Sequence, residues 1–274
     1  MRACRSFFFV EKIGIFDSGI GGLTLANALV EREPKLSFDY YGDTAHLPYG
    51  DKSPELVRHY SKGISQFLIG QGCSTILIAC NTASATAYEF LASQFPDTQI
   101  VSVVDPTVAY VRKSYKSMHK IGVIGTRGTI QSGIYPRKIK ENNPDAPEVV
   151  SKATPLLAPL IEEGFFNKNI SKEVVADYLS DPEFADLDAI VLGCTHYPLI
   201  APVVTEILGP KVEVIDSAGL VADHLLNHFQ GDAIMAQRQF IVSDHTASFE
   251  NSARFFFSEK FHLKELDIWE HEGK

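Results

Sequence analysis

A short apolar run that ends in a cysteine and opens into small or polar residues occurs twice in this chain. Thr75 to Ala79 leads into Cys80-Asn81-Thr82, and Ala189 to Gly193 leads into Cys194-Thr195-His196. Other landmarks repeat with them: Lys12 matches Lys120 at an offset of 108 residues, Asp105 matches Asp216 at 111, and Cys80 matches Cys194 at 114. Near-constant offsets predict two similar halves related by a pseudo-two-fold. A site at their interface would then receive one cysteine from each side.

The segments between these landmarks alternate in period. Lys12 to Phe16, Phe38 to Tyr41, Thr75 to Ala79 and Ile100 to Val104 are short buried runs that read as strands, the last ending at Asp105-Pro106. Helical patterns at Leu23 to Arg32, Pro54 to Gln71 and Ala83 to Phe95 separate them. The second series has strands at Lys120 to Gly125, Ala189 to Gly193 and Val212 to Ile215, with helices near Ser132 to Glu141 and Ile170 to Leu179. Strands alternating with helices predict parallel sheets covered on both faces. The expected fold is α/β, with two similar doubly wound α/β domains related by a pseudo-two-fold and the active site at their interface. Residues 12–106 and 217–274 would form the first domain, Gln239 to Val242 returning to it, 107–216 the second, and 1–11 an N-terminal extension.

With 274 residues, 45 % of them hydrophobic, the chain can bury a substantial core. The net charge of −9 and the lack of a basic stripe argue against nucleic acid as the primary partner. The apolar run Phe7-Phe8-Phe9-Val10 is too short for a secretory signal, and no apolar segment approaches the roughly 20 residues of a membrane span. The expected location is the cytoplasm, with no membrane partner. The four cysteines Cys4, Cys73, Cys80 and Cys194 show no C-x-x-C spacing, so neither a disulfide framework nor a zinc cluster is implied. A metal held by Cys80, Cys194 and His196 would suit zinc chemistry, but the ligands lack the close-spaced pairs usual for such sites.

Two thiols in mirrored settings point to proton transfer on opposite faces of one carbon, where a single one would suggest a nucleophile. A base on one face tends to return the proton where it came from. A thiolate facing a thiol can exchange roles with it and so invert a stereocentre. Each thiol would sit near a helix N-terminus, which favours anions and lowers thiol pKa values.

Asp17-Ser18-Gly19-Ile20-Gly21-Gly22, Pro48-Tyr49-Gly50, Cys80-Asn81-Thr82-Ala83 and Gly193-Cys194-Thr195-His196-Tyr197-Pro198 together resemble the glutamate racemase family. Gly122 to Thr129 and Pro159 to Gly164 extend the likeness from about Lys12 to Phe229. The resemblance implies reversible interconversion of L- and D-glutamate without pyridoxal phosphate, another cofactor or a metal, supplying D-glutamate for peptidoglycan, by a homodimer. It further implies that Cys80 takes the α-proton of D-glutamate and Cys194 that of L-glutamate. Asp17 would assist Cys80, while His196 and Glu162 would assist Cys194. Asp17, Ser18, Tyr49, Gly50, Asn81, Thr82, Thr195 and His196 would contact substrate. Without the resemblance, Asp17 and Ser18 also read as caps of the next helix, Tyr49-Gly50 as a turn, His196 as a structural histidine and Glu162 as a solvated charge. The chain departs from the family at Thr154, where a further cysteine is frequent, and after about Gln230. Aspartate racemase is the neighbouring alternative, and a non-catalytic two-lobed amino-acid-binding protein the more distant one.

Overall fold

The computed structural model describes residues 12–227 and 236–269, so the expected extension at 1–11 lies outside the described residues. The chain begins with β1 (Ile13–Asp17), α1 (Leu23–Arg32), β2 (Phe38–Gly42), α2 (Pro54–Gly70), β3 (Thr75–Ile78), α3 (Asn81–Gln94), β4 (Gln99–Ser102) and α4 (Val104–Ser114). It continues through β5 (Lys120–Gly125), α5 (Arg127–Gln131), α6 (Ile134–Lys140), β6 (Glu148–Ala153), α7 (Leu157–Glu162), α8 (Asn169–Leu179), β7 (Ala189–Gly193), α9 (Ala201–Leu208) and β8 (Glu213–Ile215). It closes with α10 (Ser217–Leu226), β9 (Arg238–Val242), α11 (Ala247–Ala253) and β10 (Leu263–Glu265). No helix among the described residues is long and apolar enough to cross a membrane.

These strands form two sheets, one in the order β10-β9-β2-β1-β3-β4 and the other β6-β5-β7-β8, with every pairing parallel. The run β2-β1-β3-β4 recurs as β6-β5-β7-β8. The duplication read from three landmarks is therefore a duplication of whole βα units, and the expected α/β architecture of two similar domains is met. Both faces of the first sheet are covered, as parallel strands require. Ile13, Ile15 and Leu77 enter one apolar cluster, while Phe16, Ile76 and Ile78 pack on the other face with Val57, Ile64 and Leu68 of α2. Each such fully buried aliphatic side chain contributes about 1.5–3 kcal/mol.

The differences from the expected elements have local causes. The fourth strand stops at Ser102, and Asp105-Pro106 stand in the first turn of α4, where proline's missing N–H has no helical partner to lose. The helix expected near 132–141 is α6, and a short α5 not expected from the sequence precedes it, set off by Gly133, whose φ of 60° is left-handed. β6 is an edge strand of half-exposed residues carrying Glu148 and Lys152, so it lacks the apolar run of an interior strand.

Candidate functional site

In the order 2-1-3-4, helices leave β1 and β3 to opposite sides of the sheet and open a crevice at the strands' carboxyl ends. The same happens between β5 and β7. Ser18 and Gly19 follow β1, Cys80, Asn81 and Thr82 follow β3, Thr126 follows β5, and Cys194, Thr195 and His196 follow β7. All of them line one cavity of about 290 Å³, joined by Leu47, Pro48, Tyr49 and Gly50 on one side and Ala158, Pro159 and Glu162 on the other. Every site residue expected from sequence lines it except Asp17, which is fully buried behind the wall.

Cys80 is the N-cap of α3: its sulfur accepts the Ala83 N–H at 3.5 Å, and its thiol donates to Ser18 Oγ at 3.6 Å. Burial, and then the nearby charge of Asp17, push the Cys80 thiol up to about 12, so the expected lowering at a helix N-terminus is overridden. Asp17 shapes the loop after β1. Its Oδ2 accepts the N–H groups of Gly19 at 3.1 Å and Gly22 at 3.0 Å, while Oδ1 is buried without a partner. Burial raises its carboxyl above the ordinary 3.8, partly offset by the charge of His196 and the loop N–H groups.

Cys194 has a different retinue. Its sulfur lies 3.6 Å from His196 Nδ1, and His196 Nε2 lies 2.8 Å from Glu162 Oε1. Burial alone would hold this imidazole neutral, but hydrogen bonding to Cys194 and Glu162 and their charges outweigh it and raise His196 well above 6.5. The ring packs against Phe256, with centroids 5.3 Å apart and planes nearly perpendicular, and against the backbone of Gly21. Thr154 stands clear of the cavity wall, with its hydroxyl 2.8 Å from that of Tyr197.

Polar contacts join the two halves around the cavity. Thr82 Oγ1 lies 2.8 Å from Thr126 Oγ1 and 3.2 Å from Thr129 Oγ1, and Thr24 Oγ1 donates to the Thr195 carbonyl at 2.9 Å. The Tyr135 hydroxyl donates to Asn81 Oδ1 at 2.7 Å, leaving Asn81 Nδ2 as a buried donor without a partner. A buried unsatisfied donor lining a cavity is suited to a ligand's acceptor. Thr126 was missed in the sequence, yet it lies 108 residues after Ser18, the offset of Lys12 and Lys120.

Asp17 yields a stability prediction with a definite sign. Its folded pKa lies above the unfolded 3.8, so the folded state is penalised once pH rises through that window. Asp17→Asn is expected to stabilise the protein near neutral pH by about 0.5–2 kcal/mol. The gain should grow as pH rises from 3.8 through the raised value and be constant above it. Melting curves of both proteins across pH check this, and a gain independent of pH would contradict it.

The Asp/Glu/Hydantoin racemase family matches residues 40–225 of the chain. Glutamate racemase of Geobacter metallireducens is 40 % identical over 245 residues, covering 87 % of this chain and 90 % of that protein. Glutamate racemase of Streptococcus pneumoniae is 37 % identical over 263 residues, covering 93 % and 98 %. The crystal structure of glutamate racemase from Francisella tularensis in complex with D-glutamate superposes with a TM-score of 0.87 at 32 % identity, over 95 % of this chain and 99 % of that one.

Proposed function

The chain belongs to the Asp/Glu/Hydantoin racemase family and is an amino-acid racemase; we propose that it interconverts L- and D-glutamate, with Cys80 and Cys194 as the two acid–base groups. The observation that carries this reading is the placement of one buried thiol from each half in the wall of a single small cavity. The likeness to glutamate racemases over most of the chain supports glutamate over aspartate.

For D-glutamate, the Cys80 thiolate takes the α-hydrogen and becomes a thiol, leaving a carbanion. The Cys194 thiol then gives its proton to the opposite face and becomes a thiolate, releasing L-glutamate. The reverse reaction exchanges the roles. Because burial holds Cys80 as a thiol, something must take its proton before it can act, and the free Oδ1 of Asp17 suits that task. On the other side, His196 with Glu162 holds a proton beside Cys194 and supports whichever form the turnover requires.

Among the described residues that line the cavity there is no lysine or arginine. The carboxylates of glutamate would therefore rest on neutral donors: Asn81 Nδ2, the hydroxyls of Ser18, Thr82, Thr126 and Thr195, and the N-terminus of α3. Such donors stabilise charge developing beside the α-carbon without neutralising the substrate ammonium. By the same family reading the enzyme needs no cofactor or metal, works in the cytoplasm as a homodimer, and supplies D-glutamate for peptidoglycan.

The test is circular dichroism of L-glutamate and, separately, D-glutamate with the purified protein in deuterated water and no added cofactor. Loss of optical activity from both, with deuterium entering the α-carbon, is the expected result. Turnover of aspartate in place of glutamate would reassign the substrate.

A further inference from the structure

We propose that Asp43 is a positioning residue for glutamate: it fixes the Pro48-Tyr49-Gly50 wall of the cavity through the Tyr49 hydroxyl and ties that wall to the C-terminal segment. The proposal rests on the glutamate reading above and concerns how that site is held.

Asp43 follows β2 and is fully buried, with its backbone N–H donating to the Asp17 carbonyl at 3.0 Å. Its carboxylate gathers groups from three separate stretches of chain. Oδ2 accepts the Tyr49 hydroxyl at 2.6 Å. Oδ1 lies 2.9 Å from His46 Nδ1 and accepts the Ser243 hydroxyl at 2.9 Å and the Trp269 indole N–H at 3.4 Å. A buried carboxylate is costly unless it is well hydrogen-bonded, and one placed behind the wall of a site for a dicarboxylate would also repel its ligand. Four surrounding polar groups disperse that charge, so it can serve as an anchor.

What the anchor holds is part of the cavity. Tyr49 is 1 % exposed and lines it, and because its hydroxyl is donated to Asp43, the loop offers a ligand its backbone and ring in place of that O–H. On the far side Gly50 abuts Thr126 of the second half so closely that an added Cβ would lie 2.7 Å from the threonine Cβ. The loop is thus wedged between Asp43 and the other domain. Behind it, Tyr60 stacks on His46 at 4.1 Å and on Tyr49 at 5.9 Å, and Trp269 meets Tyr60 edge-on at 5.3 Å. The last described residue is therefore packed into the same cluster that sets one wall of the site.

Asp43→Asn keeps the shape but has one acceptor oxygen in place of two. It can accept from Tyr49 or from the Ser243 and Trp269 side, not from both. KM for both enantiomers is expected to rise about tenfold with kcat changed less than about threefold, as for a lost binding contact. Tyr49→Phe should act in the same direction, and the double variant should be no worse than the poorer single one, because both break one linkage. Trp269 is the sole tryptophan, so its fluorescence during titration with racemic glutamate reads affinity independently of the rate assay and should show the same weakening. If Asp43→Asn does not fold by circular dichroism, Tyr49→Phe and Ser243→Ala carry the test, each with raised KM. KM within twofold of the parent in the folded variants, a kcat loss at constant KM, or additive effects in the double variant would overturn the proposal. A parent protein that neither binds nor racemises glutamate removes the glutamate reading itself, and this proposal with it.

Discussion

Replacing Cys80 with serine is expected to lower racemisation of glutamate by about 10²- to 10⁴-fold in both directions, and Cys194→Ser to do the same. Serine keeps the shape of the site and loses the thiol's acidity. Because the enantiomers have equal free energy, kcat/KM must fall equally in the two directions, so rates alone cannot tell which thiol serves which face. Exchange can. In deuterated water Cys80→Ser still has Cys194 facing L-glutamate and should wash deuterium into it without inversion, leaving D-glutamate untouched. Cys194→Ser should show the opposite preference. The environments sharpen the contrast, since Cys80 is held up at about 12 beside Asp17, whereas the Cys194 sulfur lies 3.6 Å from His196 Nδ1. Equal exchange of both enantiomers by either single variant would sink the two-face assignment.

The paired cysteines were legible because strand-ending motifs are local, and the order of strands then follows from rules that govern βαβ units. Spacing put each cysteine at the carboxyl end of its own sheet, since equivalent βα units put equivalent loops there, and bringing both into one cavity required the further expectation that the two halves face each other. It could not show that their neighbours differ. Asp17 beside Cys80 and the bond of Glu162 to His196 arise from contacts between separate segments of chain, as does the packing of Phe256 on His196, whereas Cys194 and His196 share one motif. Thr126 lay within reach, at the repeat offset from Ser18, but carries no motif of its own. Asp43 reads in sequence as one more loop aspartate. Its importance depends on Ser243 and Trp269, which lie 200 and 226 residues away.

Gly21→Ala is expected to cost about 10²-fold in kcat/KM although it adds only one methyl group and touches neither thiol. The new Cβ would lie 2.3 Å from both Cε1 and Nδ1 of His196, a distance that real contacts do not reach. Phe256 also packs on the ring, with centroids 5.3 Å apart, so the imidazole must swing or the two halves must part. Either movement disturbs the 3.6 Å approach to Cys194 and the 2.8 Å bond to Glu162. Overpacking of this kind also destabilises by about 1–3 kcal/mol, so melting temperature must be followed beside activity. Gly70→Ala supplies the control. That glycine ends α2 with nothing within 4 Å of an added Cβ, and its substitution should leave kcat/KM unchanged. The damage from Gly21→Ala should fall hardest on deuterium exchange into L-glutamate, the half-reaction given to Cys194. A folded Gly21→Ala protein with activity within threefold of the parent would mean that the placement of His196 does not limit catalysis. Gly21 belongs to the first half and His196 to the second, so an empty Cβ position on one domain preserves the geometry of the thiol on the other.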